Sequence, residues 1–360
     1  MTIYVGSLKY TPVYKSLCFA FGKACEKKGY NVKYLLSMGY EYMLSKEEKE
    51  KAIFIGHSTN FPSLLEDSLS IENRNRMKRV FSDDPPTHIY MHNYHPLNHF
   101  LARLSERHQS IFIYHVHEPY VQNKGHHGGF HQYWLHLFEY LQEKLLEKTD
   151  VTVVSSNEAS HLFDLRYPNF SGKKVLIPLM LEDLGNSISD RSRREFVTFV
   201  GPPVPAKNPE KFLETVRWSN EHEVGLKFLM ISNVKPRDPR YINVANLEIN
   251  CASPQEYGAL MKRSITLIAP YKRQTQSASV LVSYMYGTPV VSSNVGGLPE
   301  FVSHKQTGYL LDVDAKAKEW VEGVCYVRDN FSQLSKTCRS YFLENFAGEK
   351  WIKYLDSLSV

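Results

Sequence analysis

Short apolar runs alternate with amphipathic helical patterns along this whole chain, in two successive series. Few folds accept that order. Strand, helix, strand, repeated in one direction, builds βαβ units, and these build a parallel sheet covered by helices. The first series predicts strands over 3–6, 31–36, 87–91, 111–114, 151–154 and 174–177. Helices are expected over 15–28, 97–106 and 131–148, the last with Trp134, Leu135, Phe138, Leu141 and Leu145 on one face. The second series predicts strands over 196–201, 226–231, 265–269 and 289–292, with helices over 210–218 and 278–286. The tail from 316 to 358 reads as helical with a break near Asn330.

Between the two series the chain turns polar, with Gly185, Asn186 and several serines. This predicts a first domain over 1–183, a linker over 184–194, a second domain over 195–340 and a terminal helix over 341–360. The fold class is α/β: two Rossmann-like, doubly wound parallel-sheet domains facing a cleft. Such sheets bind ligands at the carboxyl ends of their strands. A chain of 360 residues, 42% of them hydrophobic, can bury two cores. Its net charge of +5 suits anionic small molecules and is too small to argue for nucleic acid. Five scattered cysteines read as reduced thiols. The opening MTIYVGSLKY lacks a charged leader before an apolar run, and no apolar stretch reaches the ~18 residues a membrane span needs. A cytoplasmic protein is expected.

The stretch from Tyr271 to Glu300 carries the chemistry. Helix 278–286 is almost free of charge and should be buried, with Gly287 ending it. Thr275, Gln276 and Ser277 precede it and can cap its first turn. Amides at a helix start carry the positive end of the dipole, which is an anion site. After the next strand come Gly296 and Gly297, which let backbone approach a ligand closely, and Pro299 where another helix would begin. Two helix starts facing one crevice suit a diphosphate.

The segment 271–311 resembles the donor-binding region of glycosyltransferase family 4, retaining enzymes of the GT-B fold. Gly287-Thr288-Pro289-Val290-Val291, Gly296-Gly297-Leu298-Pro299-Glu300 and Thr307-Gly308 match its pattern. So, more weakly, do Val200-Gly201 with Lys207-Asn208-Pro209, His117-Glu118-Pro119 and the Phe346 to Leu358 tail. The family's paired glutamates are replaced by Gln274 and Val282, and a branch with Thr-Gln-Ser before the helix fits Thr275-Gln276-Ser277 better. The family's arginine after the strand glycine is Pro202 here.

The resemblance implies sugar transfer from a nucleotide sugar, UDP- or GDP-linked, to an acceptor hydroxyl on a glycan or lipid-linked glycan, with no separate cofactor and no metal. It implies donor contacts from Gly201, Lys207, Gln274, Thr275, Gln276, Ser277, Gly296, Gly297 and Glu300. Lys207 would hold the diphosphate, and His117 would touch the donor sugar or the reacting centre. His117, Lys207 and Gln276 are the candidate catalytic groups. The terminal helix would cross back to the first domain. Without a carboxylate at 274, a covalent double displacement lacks its nucleophile, which favours front-face transfer with retention.

Thirteen of the 15 histidines precede residue 162. Glu118, Tyr120, His126 and His127 are the candidate acceptor contacts, helped by Phe130 and Trp134 as stacking faces. The spacing of His126, His127 and His131 is irregular, and no Cys or Asp completes a metal site. The basic helix 15–28 is expected to pack on the sheet, with peripheral contact at the inner membrane face as the other outcome. Two further readings stay open. One is a sugar-nucleotide binding subunit without turnover; the other is a GT-B epimerase or hydrolase, which would consume donor without an acceptor.

Overall fold

The computed structural model describes the chain except for residues 59–60, 121–129, 186–193, 233–237 and 360, and except for the side chains of 61–62, 130–132 and 254–255. It divides into two compact units: Met1–Glu182 together with Ala347–Val360, and Asp183–Phe346.

The first unit holds a seven-stranded sheet in the order β3-β2-β1-β4-β5-β6-β7. Its strands are β1 (Thr2–Ser7), β2 (Asn31–Leu36), β3 (Ala52–Phe54), β4 (His88–Met91), β5 (Ile111–His115), β6 (Val151–Val154) and β7 (Lys173–Leu176). Its helices are α1 (Pro12–Lys27), α2 (Lys46–Glu50), α3 (Phe61–Leu69), α4 (Ile71–Asp83), α5 (Asn98–His108), α6 (Phe130–Leu146) and α7 (Asn157–Arg166). Every pairing is parallel. All six residues of β1 are buried, as a central strand covered on both faces requires. One core lies on the α1 side, with Phe19, Phe21, Tyr34 and Trp351; the other holds Tyr4, Met77, Phe81, Leu101 and Phe112.

The second unit holds a six-stranded sheet in the order β10-β9-β8-β11-β12-β13. Its strands are β8 (Phe196–Val200), β9 (Lys227–Ile231), β10 (Leu247–Asn250), β11 (Ser264–Ala269), β12 (Val290–Ser293) and β13 (Gly308–Leu311). The helices are α8 (Pro209–Glu221), α9 (Pro254–Lys262), α10 (Ala278–Met285), α11 (Leu298–Phe301), α12 (Ala317–Asp329) and α13 (Phe331–Asn345). These pairings are parallel too. α10 ends where expected, with Gly287 at φ 64 and its amide on the Tyr284 carbonyl at 2.9 Å.

Several elements escaped the sequence reading. The span 44–83 holds α2, β3, α3 and α4. β3 is a three-residue edge strand, and α4 buries only Met77 and Phe81 among charged neighbours. β13 begins at Gly308, read as a turn; a Cβ there would stand 2.0 Å from the Val290 carbonyl oxygen, so the close approach to β12 demands glycine. The helical tail breaks at Asn330 and α13 stops at Asn345. Beyond it the chain forms short 3-10 turns on α1, with Gly348 donating to Leu181 at 2.8 Å and Trp351 edge-on to Phe21 at 5.1 Å. Most of the expected linker lies outside the described residues. Its beginning is pinned within the second unit, where Arg339 pairs with Asp183 at 2.6 Å and donates to the Gly185 carbonyl.

α1 is not a free basic face. Lys15 and Lys23 both reach Glu182, at 3.0 and 2.7 Å, Lys28 pairs with Asp356, and Leu17, Phe19 and Phe21 are buried. No described helix is long and apolar enough to cross a membrane.

Candidate functional site

The second unit gathers its candidates at the carboxyl edge of β8, β11 and β12. β8 ends in Gly201, at φ 109. Lys207 folds back so that a Cβ on Gly201 would stand 2.3 Å from its Nζ. The ammonium donates to the Val200 carbonyl at 2.9 Å and sits 5.3 Å from the centre of the Tyr271 ring. Three prolines stiffen the loop between, and Asn208, left-handed at φ 51, turns it into α8. Lys272 then donates its amide to the Ala206 carbonyl at 2.9 Å, tying this loop to the one after β11.

The loop after β11 meets the loop after β12 just as closely. Gly297 donates to the Gln274 carbonyl at 2.9 Å. Gly296, at φ 51, passes so near that a Cβ would stand 2.2 Å from the same oxygen. Thr275, Gln276 and Ser277 are buried beneath, and Ser277 caps α10 through its hydroxyl to the Val280 amide. Gly201, Lys207, Gln274, Gly296 and Gly297 therefore lie on three joined loops, with Thr275, Gln276 and Ser277 buried under them. Glu300 stands in the next turn, its amide on the Gly297 carbonyl at 3.1 Å.

Two details correct the sequence reading. The second helix start is only four residues long, so it adds little dipole. The Gly297 amide is spent on Gln274 and is not free for a ligand. The anion-binding capacity falls mainly on Lys207 and the first turn of the eight-residue α10. Gln274 also turns inward, its side-chain amide bonded to the Gln276 carbonyl.

In the first unit, His117 lies two residues past β5. Its ring stacks on His115, with centroids 4.0 Å apart and planes at 18°, and Tyr14 meets it edge-on at 5.0 Å. His115 is locked between the Tyr90 hydroxyl at 3.0 Å and the Ser155 hydroxyl at 2.6 Å. Burial holds His92, His115 and His117 well below the usual imidazole range, so all three are neutral at pH 7. Their nitrogens lie within 4.8 Å of one another. Yet an imidazole lone pair lies in its ring plane, and stacked rings do not aim at one ion. Within the cluster both ring nitrogens of His115 carry hydrogen bonds, while both ring nitrogens of His92 and the Nε2 of His117 are buried without one. Tyr120 lies under the Arg166 guanidinium at 5.9 Å, and Glu118 is near enough to raise the Tyr14 hydroxyl's pKa, behind the larger effect of burial. His126 and His127 lie outside the described residues.

A groove of about 230 Å³ runs between the end of α6 and the turn 167–172. It lies at the amino ends of β6 and β7, the edge opposite these groups, where doubly wound sheets do not bind substrates. The sequence reading missed His92 and His115. Their signal was the place of HNYHP and YHVHEP, each running off the carboxyl end of a predicted strand.

Two Rossmann-like parallel-sheet units are the architecture of the GT-B glycosyltransferases. Similar solved structures agree. Sucrose-phosphate synthase from Thermosynechococcus elongatus superposes with a TM-score of 0.74 at 14% identity, covering 100% of this chain and 98% of that one. Anabaena HepE in complex with UDP-glucose gives 0.73 at 12% identity, covering 100% and 99%. Residues 17–178 match the family described as Glycosyltransferase Family 4, and residues 194–330 the family described as Glycosyl transferases group 1. The chain belongs to these family 4-like glycosyltransferases. It is similar to the D-inositol 3-phosphate glycosyltransferase of Corynebacterium efficiens, 25% identical over 198 residues, which are 48% of this chain and 46% of that protein.

Proposed function

We propose that this protein transfers a hexosyl group from a nucleoside diphosphate sugar, UDP- or GDP-linked, to an acceptor hydroxyl. The observation that carries the reading is the joined surface of the second unit, where Lys207 and the start of α10 flank loops held by Gly201, Gly296 and the Gln274 carbonyl. An ammonium and preorganised amides are what a departing diphosphate needs as charge builds on its β-phosphate. A similar structure supports the donor class, since HepE was solved with UDP-glucose.

In the reaction the acceptor oxygen forms its bond to C1 of the sugar as the bond from C1 to the phosphate oxygen breaks, and the acceptor's proton goes to that departing oxygen. Positions 274 and 282 are Gln and Val, so neither supplies a carboxylate to form a covalent sugar-enzyme intermediate. This favours transfer on one face with retention of configuration. Gln276 is proposed to orient the phosphate or sugar. His117, neutral, is proposed as a hydrogen-bonding group for the reacting sugar, with Glu118, Tyr120, His126 and His127 serving the acceptor, a glycan or lipid-linked glycan. The reading places the work in the cytoplasm. With its lysines paired, α1 offers little to a membrane surface. Incubation with UDP- and GDP-sugars and an acceptor extract, followed by proton NMR of the product anomer, tests the reading; an inverted product rules out the mechanism.

One observation favours a second reading, a binding subunit without turnover. Gln274 spends its side-chain amide on Gln276, and Pro202 brings no cation. That reading predicts nucleotide affinity with no product from any acceptor.

A further inference from the structure

α6 is apolar on two sides. Its inward side is built into the first unit. Leu145 and Leu146 enter the core, the Phe138 ring meets Tyr94 edge-on at 5.7 Å, and Gln142 accepts from the Tyr114 hydroxyl at 3.0 Å. Its outward side carries Tyr133, 76% exposed, Leu137, 39%, and Tyr140, 53%. Exposed apolar side chains scattered singly need no partner, but these three are aligned. With the partly exposed Lys144 they fall at steps of four, three and four residues, the a and d spacing of a helix–helix seam. Half-buried Trp134 and Leu141 border the seam on one side, His136 and Glu143 on the other.

A helix with apolar residues on two sides is generally covered on both. The stretches of sequence outside the described residues hold at most one apolar side chain each, so they do not supply the cover. A bilayer surface would call for an excess of lysine and arginine on the polar border, and here Glu143 and Glu147 balance Lys144 and His136. The seam instead matches itself. Turned end for end about the midpoint between Leu137 and Tyr140, it sets Leu137 against Tyr140 of a second copy. It also sets the Tyr133 ring against the Lys144 ammonium of that copy and brings His136 toward its Glu143. Each contact then occurs twice, as a two-fold interface requires. Paired in the same direction, Lys144 would meet Lys144, like charge on like.

We propose that the outward face of α6 is an interface between two copies of this chain, paired antiparallel about a two-fold axis through the seam. From Tyr133 to Lys144 the seam spans about 16 Å of helix. That is short beside an interface of the standard size, about 1,600 Å² in total, so the pairing is reversible and depends on concentration. It goes beyond the transferase reading and does not depend on it.

Sedimentation velocity of the full chain over about 1–200 μM, where small interfaces associate, reads the pairing. The wild type should pass from monomer to dimer across that range. Tyr133→Lys and Tyr140→Lys should each raise the dissociation constant at least tenfold. Both side chains are exposed, so the melting temperature of each variant at monomeric concentration should match the wild type, which separates lost pairing from lost folding. Direction is read from a second change in the same chain: Tyr133→Lys with Lys144→Glu should recover most of the lost affinity. Antiparallel pairing sets position 133 against position 144, whereas parallel pairing sets each against itself and gives no recovery. A wild type that stays monomeric throughout, a dimer that neither lysine variant weakens, or no recovery in the double variant overturns the proposal. A monomer that sediments with phosphatidylcholine vesicles, and no longer does so in Tyr133→Lys, would give the face to a lipid surface and overturn it too.

Discussion

The amide of Gly297 donates to the carbonyl of Gln274 at 2.9 Å. This one bond ties the loop after β12 to the loop after β11 and fixes the rim of the proposed donor site. Gly296 makes the approach possible, because any Cβ there would meet the Gln274 oxygen.

Gly296→Ala should therefore act on both loops at once. A left-handed, sterically closed position costs roughly 1–3 kcal/mol when a side chain is forced in. Urea unfolding should show that loss. Nucleotide affinity should fall further than the stability change explains, because the α10 start shifts with Gln274. Unchanged affinity in a destabilised variant would detach this turn from the site.

Lys207→Ala should weaken nucleoside diphosphate binding by about 10- to 100-fold, the worth of a charge-assisted contact of about 1.5–3 kcal/mol. The melting temperature without ligand should move little, because among the described residues the ammonium makes one hydrogen bond, to the Val200 carbonyl at the end of β8, and no ion pair. Calorimetric titration checks the first expectation and differential scanning the second.

Arg194 offers a control away from the ligand. It donates to the Ser264 carbonyl at 2.8 Å, the Thr288 hydroxyl at 2.7 Å and the Tyr286 carbonyl at 2.6 Å, and burial lowers its pKa to about 10. It holds the end of α10 rather than its start. Arg194→Met should cost about 1–3 kcal/mol through the stranded carbonyls and leave nucleotide affinity within about twofold, less than 0.5 kcal/mol.

The buried imidazoles set the acid side of stability. His92, His115, His117 and His95, the last at about 4, all sit below the ordinary value because burial disfavours their charged form. The unfolded chain then binds more protons than the folded one below about pH 6.5. The stabilisation is complete above that pH and is lost as pH falls toward the folded values, by up to about 1.4 kcal/mol per pH unit for each histidine. Urea midpoints at pH 7.5 and 5.5 check this, with a decline expected at 5.5. No decline would mean that these rings are solvated.

The architecture was legible because β1, β8 and their central neighbours are apolar on both faces, and only parallel sheets bury strands that way. The edge strands β3, β10 and β13 were not, since half-buried runs of three or four residues carry no strong period. The loops of the proposed donor site were legible as tight turns and a helix cap through Gly296, Gly297 and Ser277, whose residue types answer local backbone needs. That the Gly297 amide is spent internally, or that His115 locks into Tyr90 and Ser155, depends on contacts between distant segments, which local pattern does not encode.

The central claim is that a nucleoside diphosphate sits on the loops after β8, β11 and β12. Hydrogen–deuterium exchange with and without UDP, GDP and ADP tests it most directly. The account predicts protection of the peptides covering 201–208, 271–281 and 294–300, with at least one nucleotide. Saturable binding that leaves all three peptides unprotected, or no binding of any of the three nucleotides, would contradict it.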